Sequence, residues 1–183
     1  MIDLRKQGLP TTIEVDGVEY KLNTDFRVWI EFDRALREDG IGLYSIFDGA
    51  IPEGDGWVMK ALEFAECRNS TPTGSSTCKD NPYDLVQDGA YIVAGFMQAY
   101  GIDLTSIDYM HWHLFKALFD GLPEETKMSR IIGYRTWEKS SEKYDNRMRK
   151  IKRAWTLPDP KHEKELEEAR KIAEMMYAEV SDE

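Results

Sequence analysis

The side chains best suited to chemistry are His111 and His113, which flank Trp112, and the two cysteines, Cys67 and Cys78. A His-x-His pair can chelate a metal on a strand, where alternate residues share a face. The surrounding pattern is helical, and on a helix two residues apart point about 200° from each other. Ten residues separate the cysteines, against roughly two to four in compact zinc sites, so no metal is expected. Nucleophilic catalysis needs a Ser or Cys oriented by a His and an acid. The sequence holds no nucleophile elbow, phosphate loop or dinucleotide glycine pattern, and Gly54-Asp55-Gly56 is too short for any of them. Acidic residues are plentiful, but no pair is set apart by an apolar environment that would tune it for proton transfer. A protein that is not an enzyme and carries no cofactor is expected, with both thiols free in a reducing cytosol.

Charge narrows the partners. The 183 residues carry a net charge of -10, which opposes nonspecific attraction to nucleic acid and to anionic lipid. A mean hydropathy of -0.55 and the lack of any run near the roughly 20 apolar residues of a membrane span predict no membrane association. The first residues, MIDLRKQGLPTTIEV, lack the apolar stretch of a signal peptide, so residence in the cytoplasm is expected. The charge is uneven: residues 134–155 hold eight Lys or Arg against three Asp or Glu, whereas 159–183 hold four against nine. A basic helix such as KYDNRMRKIKRAW could bind phosphate with Trp155 stacking on a base. In a chain this acidic, a basic segment followed by an acidic one points instead to self-complementarity or to an acidic protein partner.

The elements that must position these residues can be read from periodicity. Residues 11–22 alternate apolar and polar about Asp16-Gly17, which predicts a two-residue hairpin with Val15 facing Val18 and Ile13 facing Tyr20. That pairing puts the four on one apolar face. Thr24 is the expected N-cap of a first helix running to Gly40. A short turn near Leu43 to Asp48 precedes a helix over Trp57 to Glu66, and the segment 68–82 is a polar loop. Apolar positions around much of the circumference predict a deeply buried helix over Asp84 to Tyr100, ended by Gly101. Ser106 or Asp108 should start the next helix and Gly121 stop it, with Pro123 in the first turn of another. Aromatic residues at helical spacing, Tyr109 and Trp112 among them, are assigned to the core.

A long helix is predicted over Thr136 to Trp155, with a stripe of Trp137, Tyr144, Met148, Ile151 and Trp155. Leu157-Pro158-Asp159-Pro160 ends it, and a final helix over Lys161 to Val180 carries Leu166, Ala169, Ala173, Met176 and Val180. These two stripes are the candidate protein-binding residues, toward another copy or another protein. The expected architecture is mainly α. Residues 1–23 form an N-terminal β-hairpin packed on a helical body, 24–156 the helical core with its loop at 68–82, and 157–183 an acidic helical arm.

The opening hairpin and first helix, YGIDL at 100–104, MHWHLFKALFDGLP at 110–123 and KMSRIIGYR at 127–135 together resemble the tail assembly chaperone family of bacteriophages. Its members are the small siphophage tail proteins encoded just upstream of the tape-measure protein. The resemblance covers most of residues 1–155 and rests on an ordered pattern, Trp112, Phe115, Gly121, Ile131, Tyr134 and Arg135 within it. It implies a mostly helical, oligomeric binder that coats the tape-measure protein and keeps it soluble in the infected host's cytoplasm. It also implies possible contacts with other tail proteins and absence from the mature virion. The segment 68–82 and the acidic final helix do not match the family pattern. The alternative is a structural tail completion or connector protein of the virion, which would share the helical stripes.

Overall fold

Asp16 (φ 51°) and Gly17 (φ 79°) both take left-handed backbone, which lets a two-residue turn follow the twist of the strands it joins. β1 (Thr12–Val15) and β2 (Val18–Lys21) pair antiparallel around it, with Val15 opposite Val18 and Ile13 opposite Tyr20. The register is as predicted, but the apolar face is buried unevenly. Ile13 and Val15 enter the core, Tyr20 is half-buried and Val18 is exposed. Two four-residue strands do not stand alone. Leu22 N–H donates to Thr11 O at 2.8 Å, and Leu22 bridges to Phe47, which fastens the hairpin to the helical body. The computed structural model describes residues 4–38, 40–67, 82–138 and 145–157, and its fold is mainly α with this N-terminal hairpin.

α1 (Phe26–Arg37) is capped by Asp25, whose carboxylate accepts from Arg27 N–H at 3.0 Å. The expected cap, Thr24, is buried and its hydroxyl pairs with that of Tyr109 at 2.7 Å. A 3₁₀ turn at Leu43–Ile46 leads to α2 (Trp57–Ala65). α3 (Gly89–Tyr100) starts later than predicted. The Asp84 carboxylate accepts from Val86 and Gln87 N–H, each at 2.8 Å, and that of Asp88 from Asp84 N–H at 2.9 Å. Residues 84–88 are thus closed as a turn by their own side chains, as Asp favours. Gly89 is then the first helical residue rather than an interior defect. Gly95 has a packing reason, since a Cβ there would meet Leu122 Cδ1 at 3.2 Å. α3 is also less buried than its composition suggests: Ile92 and Phe96 face the core while Met97 is exposed.

α4 (Trp112–Asp120) starts at neither Ser106 nor Asp108 but at a cap supplied by His111. The reason is lateral pairing: Phe26 N–H donates to Met110 O at 2.9 Å and Trp112 N–H to Thr24 O at 2.7 Å. Backbone groups committed to a neighbouring segment cannot join a helix ladder. α5 (Lys127–Thr136) likewise waits for Thr126, whose hydroxyl accepts from Ser129 N–H, so Pro123 lies in the preceding turn. α5 ends at Thr136, and Trp137 turns to φ -58°, ψ 129°. The single helix predicted from Thr136 to Trp155 is therefore broken, and α6 spans Asp145–Trp155. Arg135 is held in the body and Thr136 Oγ1 donates back to Ile132 O, a bond that competes with helix continuation.

The chain divides into two compact units, Met1–Glu138 and Lys139–Glu183. α6 belongs to the second. Pro158, Pro160, the expected final helix, Tyr144, Cys78 and the body of the 68–82 segment lie outside the described residues. No helix among the described residues is long and apolar enough to cross a membrane.

In the first unit the core is aromatic. Phe115, fully buried on α4, stacks on Phe26 of α1 at 4.9 Å and on Phe96 of α3 at 5.3 Å. Trp29 stacks on Phe64 of α2 at 4.6 Å, and Trp112 Nε1–H donates to Ala65 O at 2.9 Å. Across from this stack, Arg135 of α5 holds the Asp88 carboxylate with both arms, at 2.5 and 2.9 Å, in a nearly fully buried pair. Removing one charge from a buried pair strands the other and costs about 3–5 kcal/mol. Asp88→Asn should lower unfolding stability by that amount in urea titrations, and a loss under about 1 kcal/mol would show the guanidinium to be satisfied without the carboxylate.

Candidate functional site

The His-x-His pair does not point apart. Because His111 is the extended cap residue and His113 lies in the first turn of α4, the two rings come within 5.2 Å, edge to face. Sequence reasoning failed here by assuming both were helical. Their nitrogens serve the fold. His111 Nε2–H donates to Pro10 O and His113 Nε2–H to Phe64 O, each at 2.9 Å, because a carbonyl can only accept. His111 Nδ1 accepts from His113 N–H at 3.0 Å, completing the cap of α4. His113 Nδ1 is buried without a hydrogen-bond partner. The pair clamps three elements: the residues before β1, the end of α2 and the start of α4. Cys67 is buried beyond α2, and desolvation pushes its thiol up to about 12, which leaves it protonated and unreactive near neutrality. Among the described residues no group of three His, Cys, Asp or Glu could hold a metal ion.

The candidate binding residues separate into three groups. Trp137 is half-buried after the end of α5, in the first unit. Met148, Ile151 and Trp155 share one half-buried face of α6, while Arg147, Arg149, Lys150 and Arg153 are exposed. Tyr144, Leu166, Ala169, Ala173, Met176 and Val180 lie outside the described residues. The structure thus places Met148, Ile151 and Trp155 on one face of α6, and Trp137 in the first unit.

Sequence reasoning missed an apolar surface around the 3₁₀ turn. Ile41 is 70% exposed and Tyr44 55% exposed, with the Tyr44 ring 5.3 Å from that of buried Trp57. Phe47 joins the same cluster, 5.2 Å from Trp57 and 6.4 Å from Tyr20 of the hairpin. A signal was present: Ile41 lies between Gly40 and Gly42, both with positive φ, and an apolar residue between two such glycines is held out at a turn tip. Tyr109, assigned to the core, is instead largely exposed, and its hydroxyl pairs with that of Thr24.

A protein-family model, described as bacteriophage Gp15 protein, matches residues 6–157. This chain belongs to that bacteriophage family. No curated protein and no solved structure matches the chain. The match takes in the hairpin and the described helices α1 to α6.

Burial holds both histidines below their ordinary value of 6.5, His113 down to about 4. The fold therefore favours the neutral rings, and the unfolded chain binds more protons between those limits. Stability should be fully present above pH 6.5 and fall as pH drops from 6.5 toward about 4. His111→Asn keeps a capping oxygen but removes one titrating ring, so its unfolding midpoint should fall less steeply over the same window. Equal slopes for both proteins would exclude His111 as a source of the acid sensitivity.

Proposed function

We propose that this Gp15-family protein is a tail assembly chaperone without catalytic activity, which binds the phage tape-measure protein and keeps it soluble while the tail is built. One observation carries the reading: α6, outside the first unit, gathers Met148, Ile151 and Trp155 on one face between exposed cations. A tape measure is a long amphipathic rod that aggregates through its apolar stripe, and a helix of this design fits such a stripe. Repeated weak contacts by many copies along one rod supply avidity without a single strong site. Membership of a bacteriophage family and the ordered pattern from Ile107 to Arg135 support the same reading. So does the histidine clamp, which turns the one chemically suggestive motif to structural use. The protein would act in the cytoplasm of the infected host, self-associate and leave before the virion is complete.

Co-expression with tape-measure fragments tests this. The fragments should stay in the soluble fraction with this protein and precipitate without it, and Ile151→Asp should remove the effect while leaving the first unit folded. Equal precipitation in both cultures would sink the chaperone reading. Mass spectrometry of purified virions separates it from a structural tail completion or connector role: stoichiometric presence in particles would favour the latter.

A further inference from the structure

The stretch that joins the end of α1 to α2 combines exposed apolar side chains with unpaired negative charge. Ile41, Tyr44 and Ile51, with Met59 on the outer side of α2, each have half or more of their surface exposed. Single exposed apolar residues are ordinary, but four within one short segment form a patch of the kind that marks contact sites. Between Ile41 and Gly56 the sequence holds Asp48, Glu53 and Asp55 and no Lys or Arg. Asp48 is paired with Lys21 at 2.5 Å. Glu53 and Asp55 are exposed and have no ion-pair partner among the described residues.

This surface is held in shape from below. Asn23 N–H donates to Ile46 O at 2.8 Å and Asp48 N–H to Lys21 O at 3.0 Å, so the segment is fastened to the end of the hairpin. Ser45 Oγ donates to Gly42 O at 2.7 Å within the 3₁₀ turn. Ile46 and Pro52 are buried, and Tyr44 and Phe47 both pack on buried Trp57. A partner would meet a surface already ordered, which removes part of the entropy cost of association.

The charge decides which occupant fits. An acidic partner would desolvate Glu53 and Asp55 without compensation, and the same surface of a second copy would set these carboxylates against their own kind. We infer that Ile41, Tyr44, Ile51 and Met59 dock an amphipathic helix of another protein whose apolar row is flanked by Lys or Arg, with Glu53 and Asp55 meeting the flanking cations. Apolar contact supplies the affinity, while the two carboxylates steer the helix and set its register. This site lies on the first unit and is independent of the reading of α6.

Nuclear magnetic resonance of the full-length protein tests it, with a synthetic amphipathic helix of leucine and lysine as probe and its leucine–glutamate counterpart as control. The leucine–lysine helix should shift the methyl signals of Ile41, Ile51 and Met59 to saturation, less tightly as salt rises. The leucine–glutamate helix should leave those three signals in place. Glu53→Lys with Asp55→Lys alters exposed side chains only, so the remaining spectrum should be preserved while affinity for the leucine–lysine helix falls by about tenfold or more. Unchanged affinity in that variant would overturn the inference, as would shifts spread over the acidic surface without focus on these methyls. The same shifts on raising protein concentration without any peptide would make the occupant a second copy and overturn it as well.

Discussion

Two backbone hydrogen bonds, Phe26 N–H to Met110 O and Trp112 N–H to Thr24 O, join segments more than eighty residues apart, and most of the first unit follows from that closure. With Asp25 and His111 facing each other in extended backbone, α1 and α4 must begin side by side. Each is capped in the same way, by a side chain accepting from the N–H two residues on. Phe26 and Phe115 then stack, and Phe96 of α3 completes the column. Arg27 strengthens the same junction, its guanidinium donating to the carbonyls of Leu104 and Ile107. Closing so long a loop costs chain entropy, though the cost grows only slowly with length. Burial of the aromatic column is the compensating term, at roughly 25 cal/mol per Å² of apolar surface.

A second closure lies at the far end of α3. Asp88 is the residue before the first turn of α3 and Arg135 stands in the last turn of α5. Each charge is therefore at the helix end whose partial charge it complements. That placement offsets part of the desolvation a buried pair incurs. It also fixes where α5 ends, because a guanidinium that donates to Asp88 and to Pro82 O holds the last turn against the body. The backbone leaves the helix two residues later, at Trp137. One ion pair thus sets the start of α3 and anchors the last turn of α5.

The hairpin register, the helix ends at Gly101 and Gly121, and the positions of α1 and α2 were legible because local rules decide them. Positive φ, capping and apolar period all lie within a few residues of one another. What escaped was decided by distant partners. The start of α4 depends on Thr24 and Phe26, and the start of α3 on carboxylates whose orientation Arg135 helps to hold. A helical period running through Trp137 was real as a pattern, yet the chain breaks there because Arg135 belongs to the body. The candidate surface was legible only in part. Met148, Ile151 and Trp155 share a face as their spacing required, while the exposed cluster around Tyr44 depends on the meeting of the 3₁₀ turn with α2.

The distribution of charge bears on what such a protein can bind. Residues 1–138 hold 13 Lys or Arg against 23 Asp or Glu, and α6 holds five against one. The body therefore repels other copies and other acidic proteins at long range, which favours solubility. α6 supplies attraction at one place, where apolar contact can add to it. The proposed chaperone, which would occur in many copies along one rod without aggregating beforehand, would need both terms, with opposite sign on different segments. A uniformly basic or uniformly apolar surface would bind earlier and less selectively, because selectivity comes from what the rest of the molecule rejects. The rigid aromatic core and the histidine clamp fit the same division of labour. They hold the acidic body in one shape, and in the proposed function the binding chemistry falls to α6.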